Sequence, residues 1–185
     1  QIIQSVFILM AILIMPQAAH AADEIILEIH KSERQLVVKQ NHKVMRRFMI
    51  ASGSGGSGNK IKRGDNITPI GIYRISHFKE DSRFHLFMQL NYPNALDVYQ
   101  GMQRQQLDPV EYDHLVDQIK RGRLPDQKTS LGGAIGIHGI ALEDEDKLLL
   151  HQDENWTQGC IAMTNAEIDE LRSFVKLGTQ VFIFD

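Results

Sequence analysis

Cys160 is the only cysteine among the 185 residues, so no internal disulfide can hold this chain together. A single thiol is a nucleophile, half of an intermolecular bridge or a buried bystander. Its surroundings, Thr157-Gln158-Gly159-Cys160-Ile161, favour the nucleophile, because a glycine lets main-chain amides crowd a reacting centre. His138-Gly139 lies upstream, and cysteine–histidine pairs recur in acyl transfer. The function is therefore expected at this pair.

The amino terminus resembles a secretion signal. Residues 6–15 form a nearly uninterrupted apolar run, and small residues follow at Ala19 and Ala21, a pattern that signal peptidase cleaves. The run is too short to span a bilayer comfortably. Because no basic segment precedes it and residue 1 is Gln, we expect an N-terminally incomplete signal peptide at residues 1–21, cleaved after Ala21 or Ala22. A retained membrane anchor and a buried N-terminal helix are the alternatives.

The remaining residues, 22–185, are enough for one compact domain with its own hydrophobic core. The net charge of −3 argues against a general nucleic-acid binder, which usually carries a clustered basic excess. The signal predicts a periplasmic or secreted protein with no stable membrane anchor after cleavage.

Short apolar stretches bounded by turn residues predict a mainly β domain. Expected strands cover residues 24–30, 35–39, 44–51, 72–76, 84–90 and 181–184, with Asn41-His42 as a tight connection. A glycine-rich strand over residues 131–139 carries His138. Thr68-Pro69-Ile70-Gly71 reads as a turn, and Tyr92-Pro93-Asn94 interrupts regular structure.

The segment Ser52–Lys60 is rich in glycine and serine. Too few residues precede it for an interdomain linker. A phosphate-binding loop is excluded because Asn59 and Ile61 flank Lys60, where such a loop needs Gly-Lys-Ser/Thr. A mobile surface loop between strands is the preferred interpretation.

Two helices are predicted. Asp108 caps a charged helix that begins at Pro109 and ends at Gly122, either packed on the surface or flanking a cleft as a lid. Thr164 and Glu167 form a capping box that opens the second helix. The chain is therefore predicted to be mainly β with a few helices.

A thiol is mostly protonated at neutral pH, so Cys160 needs a base or a positive charge nearby. His138 is the better candidate base, since glycines on both sides let the backbone approach a substrate. His151 follows three leucines and is as readily structural. Gly159 lets main-chain N–H groups face an oxyanion. Because the chain has no HExxH or CxxC grouping, we expect no metal and no cofactor.

Several motifs together resemble the YkuD-type L,D-transpeptidases. His138-Gly139 and the run from Trp156 to Ile161 are similar to that family's His-Gly and Ser/Thr-x-Gly-Cys-hydrophobic signature. The resemblance also covers Gly64-Asp65 with Thr68-Pro69-x-Gly71-x-Tyr73, Tyr92-Pro93-Asn94, and the glycine-rich stretch before His138. It extends through most of residues 22–185. The family implies a β-sandwich-like core with an inserted helix near the active site.

The resemblance implies an exported enzyme that acts on peptidoglycan stem peptides without metal or nucleotide. Cys160 would attack the carbonyl of the third stem residue and expel the terminal D-alanine, with His138 handling the proton. Main-chain amides of Gly159 and Cys160 would hold the oxyanion, and a carbonyl, that of Thr157, would orient the other nitrogen of His138. The acyl group would pass to a neighbouring stem, forming a 3–3 crosslink, or to a lipoprotein lysine.

Around this centre, Gly139 belongs to the orienting set and four side chains are candidate substrate contacts. Tyr92 and Asn94 contact the stem peptide or form a turn. His85 lines the cleft or lies on an outward strand face. Trp156 packs beneath the catalytic turn or stacks on a sugar.

Two positions depart from the family's usual pattern. Gln158 stands where many members carry His, and Ala162 where many carry Arg. Because that arginine is expected to position the substrate carboxylate, the outcome of the reaction stays open. The alternatives are an L,D-carboxypeptidase or amidase of the same family, and a non-catalytic cell-wall-binding module.

Overall fold

In the computed structural model, which describes residues 24–185, eight strands and four helices follow one another along the chain. The strands are β1 (Ile25–His30), β2 (Gln35–Gln40), β3 (Lys43–Met49), β4 (Gly71–Ser82), β5 (His85–Leu90), β6 (Gly136–His138), β7 (Ile161–Ala162) and β8 (Gln180–Phe184). The helices are α1 (Ala95–Gln103), α2 (Pro109–Lys120), α3 (Glu145–Asp153) and α4 (Asn165–Phe174). The predicted signal peptide lies outside the described residues.

The first three strands form the antiparallel meander that the sequence predicts. Asn41 and His42 connect β2 to β3 with positive φ angles of 49° and 67°. Two consecutive positive φ angles are typical of the type I′ hairpin turn, whose twist matches that of the flanking strands.

All eight strands belong to one sheet, in the order β3-β2-β1-β8-β4-β5-β6-β7. The final strand, β8, lies parallel to β1 and antiparallel to β4, so the end of the chain is inserted beside its beginning. The long β4 pairs with β8 through Gly71–Arg74 and with β5 through its later residues. It therefore joins two halves of the sheet, the second of which ends with β6 and β7.

The sheet curls until its two ends meet. Ala51, just after β3, forms an antiparallel bridge with Ala162 of β7, with N–H···O distances of 3.0 and 2.8 Å. One hydrophobic core draws on both halves, including Leu27, Ile75, Met88 and Ile137. This arrangement confirms the mainly β fold with a sandwich-like core.

Both predicted helices are present. Asp108 accepts a hydrogen bond from the Glu111 amide at the start of α2, and the Thr164–Glu167 capping box begins α4. No helix of residues 24–185 is long and apolar enough to cross a membrane.

The prediction of only two helices is wrong, because α1 and α3 were missed. Asn94, expected to break regular structure, is the N-cap of α1 and forms a capping box with Asp97. Helix α3 begins at the N-cap Asp144 and buries only His151, while Leu149 and Leu150 stay exposed. Because its apolar residues do not follow the helical repeat, periodicity gave no signal for α3.

Candidate active site

A cleft of about 700 Å³ opens at the second half of the sheet. Its walls come from the end of β4, the start of β5, the segment before β6 and the turn before β7. Four residues that the sequence singled out line it together: Cys160, His138, Trp156 and Thr157. These residues are far apart in the sequence but close in space, because β6 and β7 are neighbours in the sheet.

Cys160 and His138 come together through the pairing of β6 with β7. In this parallel pair, Ile137 lies opposite Ile161 and His138 opposite Ala162. Cys160 directly precedes β7, two residues before the partner of His138, and its side chain lines the same cleft. The Sγ atom donates a hydrogen bond to the Ala134 carbonyl at 3.4 Å, and no hydrogen bond joins it to His138 within residues 24–185.

The Thr157 hydroxyl holds the turn that carries Cys160. It donates to the Cys160 carbonyl at 2.6 Å and accepts from the Gly159 amide at 3.1 Å. Gly159 has a φ of 118°, and a Cβ there would lie 3.0 Å from the Ile67 carbonyl oxygen, so the turn needs glycine.

These contacts correct the predicted oxyanion donors. The Gly159 amide already donates to Thr157 and so points away from an oxyanion role. The Cys160 amide, by contrast, has no main-chain acceptor among residues 24–185. Of the two amides expected to hold the oxyanion, Cys160 is the one that is available.

The glycine-rich segment packs against this turn, so its interpretation as a mobile surface loop is wrong over its first residues. The Thr157 amide donates to the Ser52 carbonyl at 3.1 Å, and the Ser54 amide donates to the Thr157 carbonyl at 2.9 Å. A Cβ on Gly53 would collide with the Asn66 carbonyl and lie 2.9 Å from the Thr68 amide. Gly53 and Gly55 are therefore required by the close approach of their backbone to residues 65–68.

Thr68 supports Cys160 from the other side and was missed as a site residue. Its buried hydroxyl accepts from the Gly53 amide at 2.8 Å and lies 3.4 Å from the Cys160 carbonyl oxygen, to which it donates. The Thr68-Pro69 motif could have indicated a site residue, but from sequence alone a turn explained that motif equally well.

His138 is held by its own neighbour. Its Nδ1 atom lies 2.7 Å from the Gly139 carbonyl oxygen, whereas the Thr157 carbonyl predicted for this role accepts from Ser54. A carbonyl can only accept, so Nδ1 carries the hydrogen and Nε2 presents its lone pair. Burial lowers the pKa of His138, and the Gly139 carbonyl opposes that shift without cancelling it. The histidine is therefore a neutral base with Nε2 as its acceptor.

Three aromatic rings surround His138. Phe84 stacks on it with a centroid distance of 4.5 Å, the Phe87 centroid lies at 6.3 Å, and the Trp156 centroid lies at 6.1 Å in an edge-to-face arrangement. Trp156 thus packs beside the histidine and also lines the cleft. Phe84 and Phe87 were missed, because aromatic residues in a strand indicate a core equally well.

The segment after His138 is fixed by α4. Asn165 accepts from the Ile140 amide at 3.0 Å and donates to the Ala141 carbonyl at 2.9 Å. A Cβ on Gly139 would collide with the Asn165 side chain and lie 2.8 Å from the Phe84 carbonyl oxygen. Gly139 is therefore required for close packing around the carbonyl that orients His138.

Cys160 rests as a thiol. Burial raises its pKa to about 11, although the Gly136 amide and the positive charge of Lys60 both favour the thiolate. With a neutral His138 beside it, the resting pair is thiol and imidazole rather than thiolate and imidazolium. A nucleophilic role for Cys160 would therefore require the thiol to lose its proton as it reacts.

Three of the predicted substrate contacts lie elsewhere. Tyr92 is buried, and its hydroxyl donates to the Leu131 carbonyl at 3.0 Å, so it is a core residue. Asn94 caps α1 and donates to the Ile72 carbonyl at 3.1 Å. His85 points away from the cleft and pairs with Asp169 at 2.9 Å. Phe84 lies in the turn between β4 and β5, and His85, the first residue of β5, has a positive φ of 71°.

Within residues 24–185, helix α2 contributes no lining residue to the cleft. It packs on α1, and its Glu111 accepts hydrogen bonds from the Ser130 amide and hydroxyl, both at 2.7 Å. The chain continues from Ser130 into the Gly133–Ala134 wall of the cleft. The helix thus lies behind one wall rather than over the opening as a lid.

Comparison with known protein families agrees with this arrangement of a cysteine, a neutral histidine and a glycine-dependent turn. Residues 24–183 match the YkuD family, the L,D-transpeptidase catalytic domain. The chain belongs to this family.

A curated relative resembles the chain over much of its length. The Escherichia coli K12 protein that carries the name “Putative L,D-transpeptidase YafK” is 28% identical over 162 residues, which cover 84% of this chain and 48% of the relative. The chain therefore spans about half the length of the curated relatives that it matches.

Solved structures share the fold. The helical cell shape determining protein Pgp2 of Campylobacter jejuni has a TM-score of 0.60 at 22% identity, covering 88% of this chain and 48% of its own. Bd1075 of Bdellovibrio bacteriovorus has a TM-score of 0.55 at 21% identity, covering 88% and 48%. At these identities the likeness shows the fold alone.

The two departures from the L,D-transpeptidase pattern occupy very different places. Gln158 is exposed at the cleft. Ala162 is fully buried between His138 on one side and Ala51 on the other. The position where many family members carry arginine therefore supplies no charge to this cleft.

Proposed function

We propose that this chain is a cysteine acyltransferase that acts on peptidoglycan stem peptides at the cell wall, in the periplasm or outside the cell. The supporting observation is the shared cleft of His138, on β6, and Cys160, in the turn that leads into the adjacent β7, within a chain that matches the L,D-transpeptidase family. The remaining steps follow from the hydrogen bonds of these two residues.

Acylation begins when the Cys160 thiol leaves the Ala134 carbonyl and donates its hydrogen bond to Nε2 of His138 instead. The imidazole takes the proton while Sγ attacks the carbonyl carbon of the third stem residue, usually meso-diaminopimelate. The Cys160 amide donates to the developing oxyanion. His138 then returns the proton to the nitrogen of D-alanine as the C–N bond breaks, leaving a thioester on Cys160.

Transfer reverses these roles. A side-chain amine of a neighbouring stem, or of a lipoprotein lysine, attacks the thioester carbon and gives a proton to Nε2 of His138. Collapse of the second tetrahedral intermediate breaks the C–S bond, and His138 returns the proton to the sulfur. The product is a 3–3 crosslink or a lipoprotein attached to the wall.

Water can resolve the same thioester. In that case the chain is an L,D-carboxypeptidase or amidase, and its product is a shortened stem or a released protein without dimers. Gln158 is exposed at the cleft, so water can reach the thioester there, which favours this outcome as the second candidate.

The test combines product analysis with a nucleophile variant. The chain is incubated with disaccharide-tetrapeptides, and products are separated by mass: crosslinked dimers with free D-alanine support transfer, and tripeptides without dimers support hydrolysis. Cys160→Ala should abolish both products. Product formation that survives in Cys160→Ala would refute Cys160 as the nucleophile. The absence of both a product and a carbapenem adduct on the wild-type chain would leave a non-catalytic wall-binding module.

A further inference from the structure

A second cavity, of about 300 Å³, adjoins the catalytic cleft. The two share Gly133, Ile135 and Gln158 as lining residues, so a peptide in the cleft can extend into the second cavity. Its other walls come from the 60–66 loop and from Gln127 and Gly132. None of these residues takes part in the acyl-transfer steps described above.

Lys60 brings a buried positive charge to this cavity. Only 3% of its side chain is exposed, and its ammonium donates to the Asp65 carboxylate at 2.6 Å and to the Lys62 carbonyl at 3.0 Å. An ammonium has three N–H donors, so one remains for a ligand. Because packing already fixes the side chain, a ligand would lose little affinity to ordering it.

Arg63 adds a second, more accessible charge. Its Nε donates to the Thr129 carbonyl at 2.9 Å, which orients the guanidinium, while its Nη groups have no hydrogen-bond partner among residues 24–185. Lys62 lies between the two, and Asp65 is the loop's only acid. The Asp65 carboxylate is occupied by Lys60 and by the Ile61, Lys62 and Ile67 amides. The loop therefore keeps a positive excess next to the cleft.

Gln127 shapes the cavity without competing for a ligand. Its amide nitrogen donates to the Tyr92 and Pro125 carbonyls, and its Oε1 accepts from the Ala134 amide at 2.7 Å. Gly132 is needed because a Cβ there would lie 3.1 Å from Cε of Lys60. Gln158 lies at the junction of the two cavities and has no side-chain hydrogen bond within the described residues.

We propose that this cavity, lined by Lys60, Arg63 and Gln158, binds a carboxylate of the stem peptide. The inference rests on the proposed function and adds a specificity subsite to it. Lysine and arginine form their strongest hydrogen bonds with carboxylates, and the buried Ala162 supplies no such charge. A stem has two candidate groups near the reacting carbonyl, the terminal carboxylate of D-alanine and the carboxylate on the D-centre of diaminopimelate.

Binding is measured with the Cys160→Ala chain, so that the result does not depend on turnover. Three tetrapeptides are compared: the native one, one ending in D-alaninamide, and one amidated on diaminopimelate. One of the two amides should bind about tenfold more weakly than the native peptide, the size expected for one charge-assisted hydrogen bond, and this identifies the carboxylate. Equal dissociation constants for all three would overturn the proposal.

Arg63→Gln then assigns the effect to the cavity. In the Cys160→Ala background, this change should raise the dissociation constant of the native peptide about tenfold. The dissociation constant of the weaker-binding amidated peptide should not change, because that peptide has already lost the interaction. Arg104→Gln, an exposed arginine outside both cavities, is the matched control and should change neither. An equal loss for the native peptide and the amide in Arg63→Gln contradicts the subsite.

Lys60→Gln provides the second variant. It should weaken the binding of the native peptide but not that of the weaker-binding amidated peptide. Thermal unfolding of the variant reports any loss of stability that comes from breaking the Lys60–Asp65 ion pair. Activity of the wild-type chain with Cys160→Ala as its control tests the acyltransferase separately. A peptide that binds through its carboxylate but is not turned over would overturn the proposed function and leave the subsite standing.

Discussion

The indole Nε1 of Trp156 donates a hydrogen bond to Nδ1 of His151 at 3.4 Å. His151 is fully buried near the end of α3 and lines neither cavity, whereas Trp156 lines the cleft and its ring lies edge-to-face with His138 at a centroid distance of 6.1 Å. Trp156 thus lies between a histidine outside the cleft and the proposed catalytic base. The hydrogen bond also fixes the tautomer of His151, with the hydrogen on Nε2, which is buried and has no hydrogen-bond partner among residues 24–185.

Replacing His151 by leucine should separate stability from activity. The change removes an unpaired buried N–H together with the acceptor of Trp156, so the free energy of unfolding should stay within about 1 kcal/mol of wild type. The turnover rate should fall several-fold, because the indole no longer holds its place against His138. Chemical denaturation and steady-state kinetics measure the two effects. His77→Leu, at an exposed histidine outside the cleft, should leave the rate unchanged.

The pH dependence of stability should also report on His151. Burial lowers its pKa below the ordinary 6.5, so the unfolded chain binds the proton more readily than the folded chain. The free energy of unfolding should therefore fall as the pH drops through 6.5 towards the folded-state pKa. In His151→Leu it should fall less steeply over the same range. Asp97, whose pKa burial raises to about 6, contributes equally to both proteins and cancels in their difference. Parallel melting curves between pH 7.5 and 5 would contradict this assignment.

The free thiol should react slowly at neutral pH. Since burial raises the pKa of Cys160 to about 11, the rate of alkylation by iodoacetamide should keep rising with pH beyond 9. Intact-mass measurements over a pH series follow the reaction. A plateau between pH 6 and 8 would instead indicate a thiolate–imidazolium pair in the resting protein and would refute the proton-transfer order proposed for acylation.

The Thr157 hydroxyl should matter more for turnover than for folding. Thr157→Val keeps the shape but removes the hydrogen bonds to the Cys160 carbonyl and from the Gly159 amide. The turnover rate should drop about tenfold or more, since the available oxyanion donor belongs to the same turn. Thr157→Ser retains the oxygen and should recover most of the rate. Equal rates for the Val and Ser variants would show that the hydroxyl does not position the turn.

Asn165 should couple α4 to the catalytic histidine. Asn165→Ala removes the hydrogen bonds to the Ile140 amide and the Ala141 carbonyl, which follow the Gly139 carbonyl that orients His138. We expect a loss of about 1–2 kcal/mol in the free energy of unfolding and a lower turnover rate. Asn165→Asp keeps the acceptor but not the donor, so its stability and turnover rate should lie between those of the wild type and Asn165→Ala. Wild-type kinetics in Asn165→Ala would exclude a positioning role.

Prediction from sequence succeeded where neighbouring residues in the chain decide the outcome. The Asn41-His42 hairpin, the Asp108 cap and the Thr164–Glu167 capping box all depend on local backbone geometry and appear as expected. Asn94 shows the limit of such reasoning. Its capping box with Asp97 is equally local, but the preceding Tyr-Pro pair suggested an interruption of structure instead.

The sequence by itself predicted most of the strands and singled out Cys160 and His138 as the proposed nucleophile and base, because side-chain chemistry and short motifs belong to the chain alone. The strand β7 was missed, and the strand predicted over residues 131–139 is confined to Gly136–His138. Only the tertiary structure decided that Gly139 rather than Thr157 orients His138, that Tyr92 lies in the core, and that Lys60 borders a cavity beside the cleft. The physical reason is the register of the strands. It brings distant residues into hydrogen-bonding range, and no local periodicity encodes which carbonyl meets which ring.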